Sequence, residues 1–213
     1  LAGGCRPSLL LVASSCSLGL VGGGLGGIVR KMELPYPFIT MDCGGLVGGF
    51  AEGYTKAAIS VVDKFSHKDL EVQENSVNVL GLSDFYYNGT ADRKEICRLL
   101  KMAGYKINAI PGSGSSLEDL EKLGAAGLNI VCNEELGLKL AQHLEKVFGT
   151  PYVVVGMPYG IEGTQDWLER IHKVLPCENL QAVKEEGKEL LERLIAQGND
   201  YRGVWGSLWF DNV

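Results

Sequence analysis

The sequence predicts an α/β fold in which parallel sheets are flanked by helices, repeated as Rossmann-like or chelatase-like domains. Two observations carry this expectation. Short β-rich apolar runs alternate with longer segments of helical period along most of the 213 residues. Three of the helical segments also close near a glycine, at Gly104, Gly124 and Gly149, where a left-handed cap would end each helix.

The elements follow in order. "SLLLVAS" and "YPFITMD" read as the first two strands. "GGIVRKM" between them reads as a short helix, with Arg30 and Lys31 in its last turn, where the helix dipole favours cations. After Asp42, the residues Phe50, Tyr54, Ala57, Ala58 and Val61 repeat with helical spacing. "SHKDLEVQENS" is polar and without period, and reads as a linker.

From Val77 the alternation restarts as strand "VNVLGL", helix "ADRKEICRLLKMAG", strand "KINAI", helix "SLEDLEKLG", strand "LNIV", helix "EELGLKLAQHLEKVFG" and strand "YVVVG". Ser115 or Ser116 serves as N-cap of the short helix, with Glu118 and Asp119 in its first turn. Thr90 or Asp92 is the expected cap of the first long helix and Thr164 that of "QDWLERI". Two more helices, "GTQDWLERIHKVL" and "ENLQAVKEEGKELLERLIAQG", precede a tail, "YRGVWGSLWFDNV", that reads as an incoming strand. The expected domains are 1–65, part of a first α/β unit; 66–76, linker; 77–175, a second, Rossmann-like unit; and 176–213, a long helix and strand leading onward. The absent initiator Met and a strand so near the first residue suggest a fragment of a longer subunit.

Composition excludes several functions. With 46% hydrophobic and 22% charged residues the chain can bury a sizeable core. Its net charge of −6 comes from interspersed acids and bases, so no basic patch calls for nucleic acid or an anionic membrane. "LLLV" is too short to span a bilayer and follows no charged leader, which places the protein in the cytoplasm. Six cysteines occur without a C-x-x-C pair, arguing against a zinc knuckle or dithiol motif. In a reducing compartment they are thiols or metal ligands.

The stretch "SSCSLGLVGGGLGGI" admits two readings. Gly22, Gly24 and Gly27 spell G-x-G-x-x-G, and Asp42 stands where a ribose-binding acid would, which together suggest an NAD(P)-dependent oxidoreductase using the glycine loop 22–27. Yet Gly22 lies well beyond the strand end near Ala13, whereas the pyrophosphate turn must follow the strand at once. Cys16 opens the other reading.

From Cys16 onward the segment resembles an element of the nitrogenase component 1-like oxidoreductase superfamily, C-x-x-x-L-I-G-D-D-[IL], with Cys16, Leu20, Val21, Gly22 and Leu25 in register and Gly23 and Gly24 replacing the aspartates. "CGGLVGGFAEGYTKA" is similar to the family's G-F-x-G-x-x-x-G-Y turn, with Leu46 in the aromatic position. "LEKVFGTPYVVVGMPYGIEGTQDWL" is similar to its F-G-x-P and P-x-G-[IL]-x-x-T-x-x-[FW]-L. The superfamily includes nitrogenase, its cofactor-assembly scaffolds and protochlorophyllide reductase-like proteins. The resemblance implies a fragment of a three-domain subunit, carrying the end of the first domain and the whole second.

It also implies a function. A component 1-type subunit accepts electrons from an ATP-dependent iron–sulfur reductase through an iron–sulfur cluster and pairs with a second component 1-type subunit. Cys16 is the matched cluster ligand and Gly22 its neighbour in the loop. Cys132 ends "LNIVC" close to where catalytic subunits bind a second metallocluster. A thiol at a helix N-terminus is expected to ionise easily, though any strand-end cysteine has that position. No residue is assigned a catalytic role. The alternative within the family is a non-catalytic metallocluster assembly scaffold. Cys5, Cys43, Cys97 and Cys177 match no ligand, and His67, His143 and His172 read as solvated. Asp84, Tyr86, Tyr87 and Tyr159 are candidate pocket residues at strand ends, with purely structural turns as the competing reading.

Overall fold

The computed structural model describes residues 7–17, 24–42, 48–67 and 69–209. They form two parallel sheets. In the first, β1 (Leu10–Ser14) pairs with β2 (Phe38–Asp42), Leu10 opposite Phe38 and Ser14 opposite Asp42. Helix α1 (Leu25–Lys31) crosses between them and buries Val29. It approaches β2 closely at Gly26, where an added Cβ would lie 3.2 Å from the Thr40 hydroxyl.

The second sheet has the order β4–β3–β5–β6 and every pairing is parallel. Its strands are β3 (Gln73–Leu80), β4 (Lys106–Ala109), β5 (Ala126–Val131) and β6 (Tyr152–Val154). Helices follow each strand: α3 (Gly89–Met102), α4 (Leu117–Glu121), α5 (Glu134–Phe148) and α6 (Gly160–Val174). Because side chains alternate across a strand, Val77 and Val79 face a core with Ile96, Leu100, Trp167 and Ile171 from α3 and α6. Leu80 faces the opposite core, with Leu140 and Leu144 of α5. Helices on both faces make this a doubly wound sheet.

Helix α2 (Phe50–Phe65) joins the two sheets. Its Val62 lies in the α5-side core, and Lys64 Nζ donates to the Phe38 carbonyl of β2. The Tyr54 hydroxyl lies 2.9 Å from the Leu82 carbonyl and 2.6 Å from that of Pro111, so one phenol ties α2 to the ends of β3 and β4. Gly112, at φ +82°, makes room for it: a Cβ there would fall 2.2 Å from the Tyr54 oxygen.

Polar asparagines cross the second sheet. Asn78 and Asn129 are fully buried. Asn78 Nδ2 donates to Asn129 Oδ1 (2.8 Å) and to the Leu123 carbonyl (2.9 Å), while its Oδ1 accepts from Asn108 (2.7 Å). These bonds link neighbouring strands β4, β3 and β5 side chain to side chain, and a one-residue slip would leave buried amides unpaired.

Several local expectations are corrected. β3 begins at Gln73 rather than Val77. A left-handed residue, Asn75 at φ 56°, coincides with a register shift between Gln73 and Val77, and this irregular polar start hides the strand from a periodicity reading. Gly104 and Gly149 do adopt positive φ, but Gly124 does not. It sits in a short 3₁₀ turn, Leu123–Ala125, against the Phe148 ring, which an added Cβ would approach to 2.7 Å. Ser116 caps α4 in a reciprocal box with Asp119. The cap of α3 is instead Asn88, left-handed at φ 66°. Helix α6 starts four residues before Thr164, whose hydroxyl donates back to the Gly160 carbonyl at 2.7 Å. The tail is not a strand through residue 209: α7 (Leu180–Trp209) continues across it. Extending an existing helix costs no new nucleus, and this outweighs the strand preference of the aromatic residues.

Candidate functional site

In an open parallel sheet, ligands bind beyond the carboxyl ends of the strands. Here β3, β5 and β6 end at Leu80, Val131 and Val154 and release three loops toward one another. The first turns at Gly81, φ +87°, where a Cβ would stand 2.5 Å from the Asn133 carbonyl. Asn133 starts the second loop's helix by accepting from the Leu136 N–H at 3.1 Å. The third loop holds Trp167, whose indole N–H donates to the Gly156 carbonyl at 2.9 Å.

Between these loops lies a cleft of about 370 Å³, lined by Ser83, Tyr86, Tyr87, Asp92, Met157 and Tyr159 among others. Its rim is aromatic and open. Tyr87 is 97% exposed, Tyr159 77% and the adjacent Phe85 88%. Phe50 of α2 stands 5.9 Å from the Tyr86 ring and 6.1 Å from that of Tyr54.

Asp84 sits beside this rim, accepting from the Ser113 hydroxyl at 2.7 Å and lying 3.4 Å from Arg93 Nε. The Ser113 bond, aided by the Arg93 charge, holds its carboxyl below the usual range. Burial, with Tyr86 nearby, pushes the Tyr54 phenol up, so it stays a donor. The edge therefore offers aromatic faces, phenol hydroxyls and one fixed carboxylate. Such a surface suits a flat ring with polar substituents.

The cysteines fall elsewhere. Cys16 is exposed, two residues past the end of β1. Cys132 follows β5, its N–H donating to the Leu80 carbonyl at 2.9 Å and its side chain only 2% exposed within the core. Burial, and then the neighbouring Cys97, pushes its thiol up to about 12. That is opposite to the direction expected of a thiol at a helix N-terminus, because desolvation outweighs the dipole. Gly22 and Cys43 lie outside the described residues. Among the described residues no three His, Cys, Asp or Glu side chains gather to hold a metal ion.

In the dinucleotide fingerprint the third glycine permits close helix–strand packing. A Cβ at Gly27 would meet nothing within 4 Å, and the close contact belongs to Gly26 instead. Two of the three histidines also differ from expectation, while His67 is exposed as expected. His143 pairs with Asp63 at 2.7 Å, joining α5 to α2, and His172 bonds to Cys177. Neither the Tyr54 tie nor the Gly81–Asn133 approach shows in a residue-type pattern, since each joins positions far apart in the chain.

A doubly wound sheet whose strand-end edge carries an open aromatic cleft belongs with the α/β proteins that hold a ligand beyond the carboxyl ends of their strands. Residues 3–205 match the model of the nitrogenase component 1 type oxidoreductases, and the chain belongs to that family. Among curated proteins it is similar to a subunit of the light-independent protochlorophyllide reductase of Chloroherpeton thalassium, 31% identical over 170 residues, covering 78% of this chain and 31% of the relative. The corresponding protein of Huperzia lucidula is 37% identical over 135 residues, 63% of this chain and 25% of that protein. The chain thus spans between a quarter and a third of the length of these relatives. Among solved structures, "Nitrogenase Cp1 at pH 5" superposes with a TM-score of 0.71 at 24% identity, over 91% of this chain and 38% of that one. No helix among the described residues is long and apolar enough to cross a membrane.

Proposed function

We propose that this chain is part of a component 1-type subunit that receives electrons from an ATP-dependent iron–sulfur reductase and passes them to a flat conjugated ring at the second sheet's edge. The observation that carries the substrate side is the aromatic-rimmed cleft beyond β3, β5 and β6. The names of the curated relatives point to protochlorophyllide, a ring of this kind. Electron delivery rests on family membership.

The described residues do not fit a complete iron–sulfur cluster. A cubane takes about four thiolates, whereas Cys16 is one exposed thiol past a strand end and, among the described residues, no three metal-ligating side chains gather. We read Cys16 as one ligand of a cluster completed by other parts of the subunit or its partner, and Cys132 as a core thiol. The setting is a reducing, cytoplasmic one.

Within this chain, Tyr86, Tyr87 and Tyr159 stack on the ring faces, while Asp84 stays ionised at the rim and orients polar substituents. Titrating protochlorophyllide into the full-length subunit with its partner, followed by the absorbance shift, tests the reading. Saturable binding that weakens on Tyr159→Ala is expected, each stacked ring contributing about 1 kcal/mol. Saturable NADPH binding abolished by Gly24→Ala, with no binding of the pigment, would replace it by the dinucleotide reading.

A further inference from the structure

The aromatic cleft has a charge character that its rim does not show. Among the described residues that line it, the one charged side chain is Asp92, half-buried in the first turn of α3. Arg93, the next residue, is turned elsewhere. Its Nε stands 3.4 Å from Asp84 Oδ1, and its guanidinium packs on the loop after β4, where a Cβ at Gly114 would lie 2.5 Å from Nη1. That cation is already matched by Asp84. Two helix N-termini, those of α3 and α5, also begin at the cleft, and by themselves they favour an anion. Each carries carboxylates in its own first turn, Asp92 in α3 and Glu134 and Glu135 in α5. A whole negative charge outweighs the roughly half positive charge of a helix end. The cleft is therefore negative as well as aromatic.

We propose that Asp92 is a specificity-determining residue that fixes which edge of the ring enters the cleft. The inference rests on the ring-binding reading given above. A ring of the protochlorophyllide kind is conjugated and uncharged over most of its area and carries one carboxylate on a side arm. Its uncharged edge enters toward Asp92, and the carboxylate arm stays at the open mouth, past the exposed Tyr87 and Tyr159 rings.

The reverse orientation brings two carboxylates together in a half-enclosed space, where like charges repel more strongly than in bulk water. Among the described residues that line the cleft, no cationic side chain offsets that repulsion. At the mouth the carboxylate keeps its water, and the Tyr87 and Tyr159 hydroxyls add donors. The cleft thus selects rings whose acidic groups lie on a single edge and disfavours those with carboxylates all round.

The test titrates the full-length subunit and its partner with three probes: protochlorophyllide, its methyl ester, and uroporphyrin, which bears carboxylates round the whole ring. Acid and ester are expected to bind within about twofold of each other, because the carboxylate stays hydrated at the mouth. Uroporphyrin is expected to bind about tenfold more weakly at low salt, and the deficit to shrink at high salt, where the repulsion is screened. Asp92→Asn is expected to tighten uroporphyrin about threefold at low salt and to leave protochlorophyllide within about twofold. An ester much weaker than the acid would show the carboxylate held inside the cleft, and would overturn the proposal while leaving ring binding intact. A uroporphyrin deficit that neither salt nor Asp92→Asn changes would do the same, since size rather than charge would then exclude it. If protochlorophyllide itself fails to bind, the ring reading falls and this proposal with it. The ester and salt comparisons use wild type and decide the matter even if Asp92→Asn fails to fold.

Discussion

The two sheets differ in how completely they are covered. In the second, Val77, Val79, Leu80, Leu128, Ile130 and Val131 have no solvent exposure, and helices lie on both faces. In the first, Leu11 of β1 is 53% exposed, as are Ile28 (52%) and Met32 (60%) around α1. Parallel strands are normally buried on both sides. The second sheet is therefore covered on both faces and can hold a cleft in fixed shape, whereas the first leaves apolar side chains exposed. Cys16 lies past the end of β1 in the first sheet and the aromatic cleft at the edge of the second.

The sharpest way to break this contrast is to truncate equivalent apolar residues in each. Trp167→Ala removes the largest fully buried side chain together with its bond to Gly156. It is expected to cost about 3–5 kcal/mol in urea unfolding. Leu11→Ala should stay within about 0.5 kcal/mol. Equal losses would show the first sheet to be as tightly covered as the second.

Next in size is the asparagine network. Asn78→Ala takes the donor from Asn129 Oδ1 and the Leu123 carbonyl and leaves Asn108 Nδ2 with the Lys122 carbonyl alone. A loss of about 1–3 kcal/mol is expected in the same assay. Smaller still is Tyr54→Phe, which cuts the tie from α2 to the strand ends at a cost of about 1 kcal/mol. Its signature is local: amide exchange of α2 should quicken while that of β3 and β5 does not.

The last comparison is by pH. Asp84 has a carboxyl held low in the folded state, so its stabilising contribution is complete above the unfolded value, about 3.9, and disappears as pH falls through the folded one. The Tm difference between wild type and Asp84→Asn should thus be present at neutral pH and close in acid. A difference that widened in acid would reverse the sign of this assignment.

What could be read from the chain alone follows the same division. The parallel sheet over β3 to β6 was legible because fully buried strands are continuous apolar runs between helices of clear period, and the Ser116 cap because its chemistry is local. The start of β3 was hidden by its polar residues and the left-handed backbone at Asn75. The Tyr54 tie and the Asn78–Asn129 bond join residues 28 or more positions apart, so no local pattern announces them. Cys132 was legible as a strand-end cysteine, but the direction of its side chain, into the core, depends on packing by α3 and α6. Cys16 and the pocket tyrosines were visible as motif and loop positions, while the cleft itself appears only when three separate loops meet.

The proposed division of labour between the two sheets is tested most directly by counting iron in the full-length subunit purified anaerobically with its partner. Wild type and a Tyr86→Ala/Tyr159→Ala double variant should carry the same iron content, since no cysteine among the described residues lines the cleft, whereas Cys16→Ala should lose the cluster and its brown colour. A full complement of iron in Cys16→Ala, or its loss from the tyrosine variant alone, would contradict the assignment of electron delivery to the first sheet and ring binding to the second.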